Sequence, residues 1–398
     1  MKYLTFPIML FILLFNCSSD VDVQTEEVEP ALTDVLTLEL SFGDEKTITK
    51  DEFLLVYPLS IEVNREGDIY VSDERIVKVY NIDGEEKAII GSIGQGPGEF
   101  KYAGGLSISS TGFVTVNDID GANIFDEHHN FIKKVSPASN PLYSKYNRGR
   151  TPATRFYPLP HIAVRFSINE FQRIVSIKVF HGYNNNPGFT NEIIVHEKPD
   201  SLIELVNYSV QTELNVDRSG PSTKPFAGEF EWNILSGNRI VYTHAEVDKY
   251  IENHNYTYIL HVKSFDLREY FSISQKYTPV VIPDSLKQDY YDNENRNKLA
   301  EIFSDMARKT KYFPPVKRIR ADRNYIFVFT NKINEKGEVL TDVFNADSKS
   351  YITSVYFPYW TVDASVKFHN EHIYGRMINE EGFYIIEKYK IDPAVYGK

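Results

Sequence analysis

The chain has 398 residues, of which 42% are hydrophobic, enough to build a sizeable core, and it holds a single cysteine. A formal charge of -12 speaks against nucleic acid as a partner and against adhesion to anionic lipid, both of which need clustered Lys and Arg. Twenty-seven tyrosines and 26 phenylalanines against four methionines favour pleated surfaces, where aromatic and β-branched side chains pack well.

Lys2 precedes an apolar run from Tyr3 to Phe15, and Asn16-Cys17-Ser18-Ser19-Asp20 follow. The run has the length of a secretory signal core and falls short of the ~20 residues of a membrane span. The pattern resembles the signal peptide and lipobox of a bacterial lipoprotein. That resemblance implies a signal peptide over residues 1–16, cleavage before Cys17, acylation of Cys17 and a tether to the membrane through lipid alone. The mature chain would then hold no thiol for a disulfide, metal or redox site. Residues 17–33 are acidic and aperiodic, which predicts a flexible linker. Asp20 and Asp22 resemble the acidic surface-export signals of Bacteroidetes lipoproteins, so an outer-membrane location is expected, with the periplasmic and outer faces both open.

The domain proper is expected over 34–398. Leu36, Leu38 and Leu40 alternate with Thr37, Glu39 and Ser41, a half-buried strand that stops at Gly43-Asp44. Between Ser60 and Gly91, four short strands are separated by the turns Asn64-Arg65-Glu66-Gly67-Asp68 and Asn81-Ile82-Asp83-Gly84. The unit recurs at 106–135, where Gly112-Phe113-Val114-Thr115-Val116-Asn117-Asp118 aligns with Asp68-Ile69-Tyr70-Val71-Ser72-Asp73. Looser copies are expected over 155–210, from Phe230, from Val316 and from Ala364. Six units of four strands with a period near 40 residues predict an all-β, six-bladed β-propeller with four-stranded antiparallel blades. The last unit shows three strands, so the strand at 35–41 should supply its fourth and close the ring, which removes the exposed sheet edges. A short helical insertion is predicted near 284–309, with Asp284 as N-cap and Leu286, Tyr290, Leu299, Ile302, Phe303 and Met306 at helical spacing, as a lid on one face.

The strands Ile69–Asp73 and Arg75–Tyr80, with the loop Gly94-Gln95-Gly96-Pro97-Gly98-Glu99-Phe100, resemble the six-bladed β-propeller lipoproteins of Bacteroidetes, relatives of NHL-repeat propellers. The likeness is carried by the first two blades and implies fold, secretion and lipid attachment. The glycines of 94–98 read as an inter-blade turn, because a phosphate-cradling loop leads into a helix and here a strand follows.

Propeller relatives that act as lyases or lactonases resemble this chain in fold and bind a metal in the central channel. By placement near inner strands and loops, the matching catalytic candidates are Arg165, His244, Arg320 and Tyr359. A divalent metal would draw on His161, His244 and Glu246 if they converge at the channel mouth. Arg148 and Arg150, in the long loop 137–160, and Trp360, in an aromatic stretch, are candidates for ligand binding. The expected function is therefore a lipid-anchored envelope propeller without catalysis or required cofactor, binding a protein, peptide or glycan through one face of the ring. The alternative is a metal-assisted lyase or hydrolase at the channel mouth, which requires three or more of His, Asp and Glu to converge.

Overall fold

Alternation of apolar and polar residues, broken every eight to twelve residues by Asn, Asp and Gly, produces short antiparallel strands joined by tight turns. The computed structural model describes residues 30–136, 140–147, 161–181, 189–211, 213–214, 222–253, 255–293 and 296–398. Cys17, Arg148 and Arg150 lie outside the described residues, and His161 is described in its backbone only.

Six sheets form six blades. Blade 1 comprises Pro58–Val63, Ile69–Asp73, Ile76–Tyr80 and Glu86–Ile90, and blade 2 comprises Leu106–Ile108, Val114–Asp118, Gly121–Phe125 and Phe131–Val135. Blade 3 is His161–Ser167, Arg173–His181, Phe189–Lys198 and Ser201–Val210. Blade 4 is Phe230–Leu235, Arg239–His244, Asn255–Ser264 and Tyr270–Tyr277, and it carries a fifth short strand, Lys249–Glu252, that the sequence did not predict. This strand pairs with residues 255–258 as a hairpin extension. Blade 5 is Arg318–Asp322, Tyr325–Ile333, Glu338–Asn345 and Ser350–Pro358. Blade 6 joins Lys367–His369, His372–Ile378 and Tyr384–Ile391 to the N-terminal strand Leu36–Phe42, so the ring is closed as expected.

The core is divided among the blade interfaces. Each adjacent pair of blades has its own apolar cluster, for example Phe42, Ile61, Val71, Tyr80 and Ile386 between blades 6 and 1, and Phe327, Val355, Phe368 and Ile391 between blades 5 and 6. A strand covered by neighbouring blades on both faces has no solvent side, and Ile69–Asp73 accordingly has five buried residues in a row, the polar Ser72 and Asp73 among them.

The repeated aspartate of blades 1 and 2 has a structural role. Asp73 accepts the backbone N–H groups of Val56 (3.0 Å) and Tyr57 (2.5 Å), which pins the segment leading into blade 1. Asp118 does the same for Tyr102 at 3.0 Å. Gly91 (φ 79°) is needed where the Gly-rich turn meets blade 1, because a Cβ there would lie 2.1 Å from the Phe100 ring.

Between blades 4 and 5 the predicted insertion forms two helices, α1 (Asp284–Asp292) and α2 (Lys298–Lys309). Asp284 is the first helical residue of α1 rather than its cap: Pro283 occupies the cap position, and the Asp284 carboxylate faces the positive end of the helix dipole from the first turn. The side chain of Asn297 caps α2 by accepting from Ala300 N at 2.9 Å. Among the described residues no helix is long and apolar enough to cross a membrane.

Candidate functional site

The first strand of each blade is innermost, and these strands touch their neighbours around the ring, as between blades 1 and 2, 2 and 3, 4 and 5, 5 and 6, and 6 and 1. Because strands alternate in direction, the turns after the first and third strands lie on one face, and the inter-blade connections on the other. Among the described residues, the second face carries the long segments 43–57, 91–105, 222–229, 278–293, 296–317 and 359–366. Loops held on a rigid ring are where recognition resides, and this face also bears the helices.

Inner strands are expected to be apolar or neutral, yet several here carry charge along the channel. Lys367 of blade 6 pairs with Glu62 of blade 1 at 2.6 Å. Arg318 of blade 5 reaches Glu231 of blade 4 at 3.4 Å, and Ile319 N donates to Glu231 at 3.3 Å. Arg320, two residues on and so on the same side of the strand, donates to the carbonyls of Val362 (3.3 Å) and Asp363 (2.5 Å). Burial, added to the repulsion of Arg318, pushes the Arg320 pKa down to about 10. Arg165 sits at a β-bulge on the inner strand of blade 3 and donates to Ser176 Oγ at 3.0 Å. It touches solvent, yet the surrounding protein desolvates it and lowers its pKa.

Glu231 is 6% exposed. Desolvation raises its carboxyl, Arg318, Ile319 N and Arg320 pull it back, Glu229 opposes them, and the pKa settles at about 7. The folded protein thus holds this proton more tightly than the unfolded chain. The resulting stability is complete below pH ~4.5 and is lost as pH rises through about 7, by up to ~3 kcal/mol. Glu231→Gln should flatten the fall in thermal midpoint between pH 5 and pH 8 relative to the parent. The comparison cancels the opposite trend of His369, whose burial lowers its pKa to about 4; identical pH profiles would contradict the assignment.

Beside the helices two clefts meet at one residue. A cleft of about 450 Å³ is lined by Phe226, Leu286, Asp289, Tyr290, Asn293 and Phe303. A second, of about 550 Å³, is lined by Lys224, Phe226, Glu246, Met306, Tyr312 and others. Phe226 lines both, with φ 55°, a left-handed backbone that is costly for a bulky residue, and packs edge-on against Tyr290 and Phe313. Lys249 pairs with Glu246 at 2.9 Å and Lys309 with Asp305 at 2.6 Å. The Lys224 ammonium has no partner among the described residues, and burial lowers its pKa against the pull of Glu246.

The residues singled out from sequence are dispersed. His244 is wholly buried between blades 3 and 4, away from the channel: its Nε2 lies 3.2 Å from Glu192 Oε2, its ring stacks on Phe230, and its Nδ1 accepts from Glu246 N at 3.2 Å. Nearby, burial would raise the Asp248 carboxyl, but His261, Tyr208 and the His244 N–H hold it below its usual value. Glu246 accepts from Gly228 N at 2.7 Å. Tyr359 accepts from Lys317 Nζ at 2.6 Å, with that ammonium also 4.3 Å from its ring. Trp360 is half-buried on Gly375 and Tyr389 at the junction of blades 5 and 6. Of the catalytic candidates, Arg320 and Tyr359 are linked through one turn: Tyr359 opens it, and the Val362 carbonyl at its end accepts from Arg320. Among the described residues no three of His, Cys, Asp and Glu are grouped so as to hold a metal ion.

Glu231, Arg318, Lys224 and Phe226 were not singled out from sequence. The first two carried a usable signal, charge at alternating positions of a blade's first strand. Phe226 and Lys224 carried none.

No protein-family model matches the chain, and no curated protein matches it either. Among solved structures it is similar to an exported-protein candidate of Bacteroides fragilis, with 13% identity over 91% of this chain and 98% of that one, at a TM-score of 0.47. It is similar also to regucalcin, a calcium-binding protein of Agrobacterium tumefaciens (10% identity, 91% and 97% covered, TM-score 0.36), and to the Pan2 WD40 domain of Neurospora crassa (7% identity, 91% and 98% covered, TM-score 0.36).

Proposed function

We propose that this propeller is a lipid-anchored cell-envelope protein that binds an acidic glycan in the paired clefts on its long-connection face, without covalent chemistry. The observation that carries the reading is the Lys224 ammonium, without a partner among the described residues, in a cleft walled by aromatic rings and continuous, at Phe226, with a second one. Sugars offer apolar faces that stack on rings such as Tyr290, Phe226 and Tyr312, and hydroxyls that suit Asp289 and Asn293. A uronate or similar carboxylate would supply the partner that Lys224 lacks. Attachment through Cys17 rests on the signal-like residues 1–20 and would hold the ring near the membrane by lipid alone.

Binding of uronate-containing oligosaccharides, measured by calorimetry, tests this. Lys224→Ala should weaken binding by ~10–100-fold, the worth of a charge-assisted hydrogen bond, and Phe226→Ala should weaken neutral and acidic sugars alike. Unchanged affinity in Lys224→Ala, or preference for peptides over every glycan tried, would overturn the reading.

A further inference from the structure

We propose that Arg318 and Arg320 form an anion site on the channel wall that takes a single oxyanion group, a carboxylate or a phosphate. The two guanidinium groups project from the same side of one inner strand, ~7 Å apart along it. Both are incompletely satisfied: Arg318 Nε and Arg320 Nε are buried without a hydrogen-bond partner. Among the described residues Arg318 makes only the 3.4 Å approach to Glu231, and Arg320 spends Nη2 on two backbone carbonyls. Neither forms the two-pronged carboxylate pairing that a buried guanidinium favours.

The nearby charges do not cancel the excess. Arg320 feels Arg318, Glu231, Asp363 and Glu62, which come from blades 5, 4 and 1 and the 5–6 connection. Glu62 is engaged by Lys367, and Asp363 is shared with Arg376, at 3.9 Å. That leaves Glu231 for two arginines. An uncompensated cation inside a protein is costly, and an anion bound between the guanidinium forks removes the cost. Solvent reaches the wall, because the side chains of Arg318 and Lys367 are 31% and 29% exposed. Arg165, on blade 3, has no charged group among the causes of its shift and belongs to a different part of the ring.

The site is separate from the clefts, so its test is independent of the glycan reading. Sulfate is the probe, titrated into the purified full-length protein against sodium chloride of equal ionic strength, with calorimetry and thermal melting as readouts. Sulfate should bind at one site per chain and raise the melting midpoint by several degrees beyond chloride. Arg318→Gln and Arg320→Gln should each weaken binding at least tenfold, while Arg165→Gln leaves it unchanged. Where Arg320→Gln does not fold, Arg320→Lys keeps the charge, loses the fork and should still lose most of the affinity. No gain over chloride, or equal gain in the parent and the Arg318 and Arg320 variants, would overturn the proposal.

Discussion

A chain that begins at Gly43 should lose its cooperative thermal transition and aggregate. The missing strand, Leu36–Phe42, pairs with Tyr384–Ile391 from Leu36↔Ile391 to Phe42↔Ile386. Phe42 is 2% exposed and lies 4.7 Å from the Tyr80 ring, and Val35 fills the junction of blades 5 and 6. Each such side chain contributes ~1.5–3 kcal/mol by burial, and the lost ladder bares the backbone of Tyr384–Ile391 as an edge. The sum is on the order of the whole stability of a folded protein, ~5–15 kcal/mol. A peptide of residues 30–42 added in trans should restore the transition by strand addition. A truncated protein that melts within a few degrees of the parent would show that ring closure is not what holds blade 6.

Asp73→Ala should cost ~3–5 kcal/mol, read from the denaturant midpoint at unchanged slope. Lys78, with a side chain 4% exposed, pairs with Asp73 at 2.7 Å and donates to Leu54 O. Without the carboxylate its charge stays buried with one carbonyl, and the N–H groups of Val56 and Tyr57 lose their acceptor. The equivalent Asp118→Ala should cost less, because its partner Lys134 is 32% exposed and can turn to water. Equal losses at the two sites would mean that the loop contacts, and not the buried ammonium, set the penalty.

Blades 1 and 2 were legible almost strand by strand. Their turns carry the hydrogen-bonding that makes them turns: Asn81 Oδ1 accepts from Asp83 N and Glu85 N, and Asp126 Oδ1 from His128 N and Asn130 N. Such Asx turns close within four residues, so local chemistry suffices to predict them. The fifth strand of blade 4 was not legible, since Lys249–Glu252 is short, largely exposed and has no apolar alternation. The capping of α1 was misassigned for a related reason: a proline followed by aspartate satisfies two different start patterns, and only the backbone at Pro283 (ψ 142°) separates them.

The site followed a different logic. Candidates chosen by expected placement near inner strands and loops, such as His244, went to a blade interface, where aromatic neighbours and Glu192 surround the buried ring.

Sequence by itself determined the strand period, the turn positions, the number of blades and the pairing of the two ends of the domain, since each is written within about ten residues or in a repeat. Which charges share the channel, and where the clefts open, was decided by tertiary structure alone. Glu231 and Ile319 N lie 88 residues apart and meet only because closing the ring sets the inner strands of blades 4 and 5 side by side. Lys224 and Met306 border one cleft because the connections from blade 3 to 4 and from blade 4 to 5 share a face. Convergence of that kind has no local pattern, because its cause is the geometry of six blades around an axis.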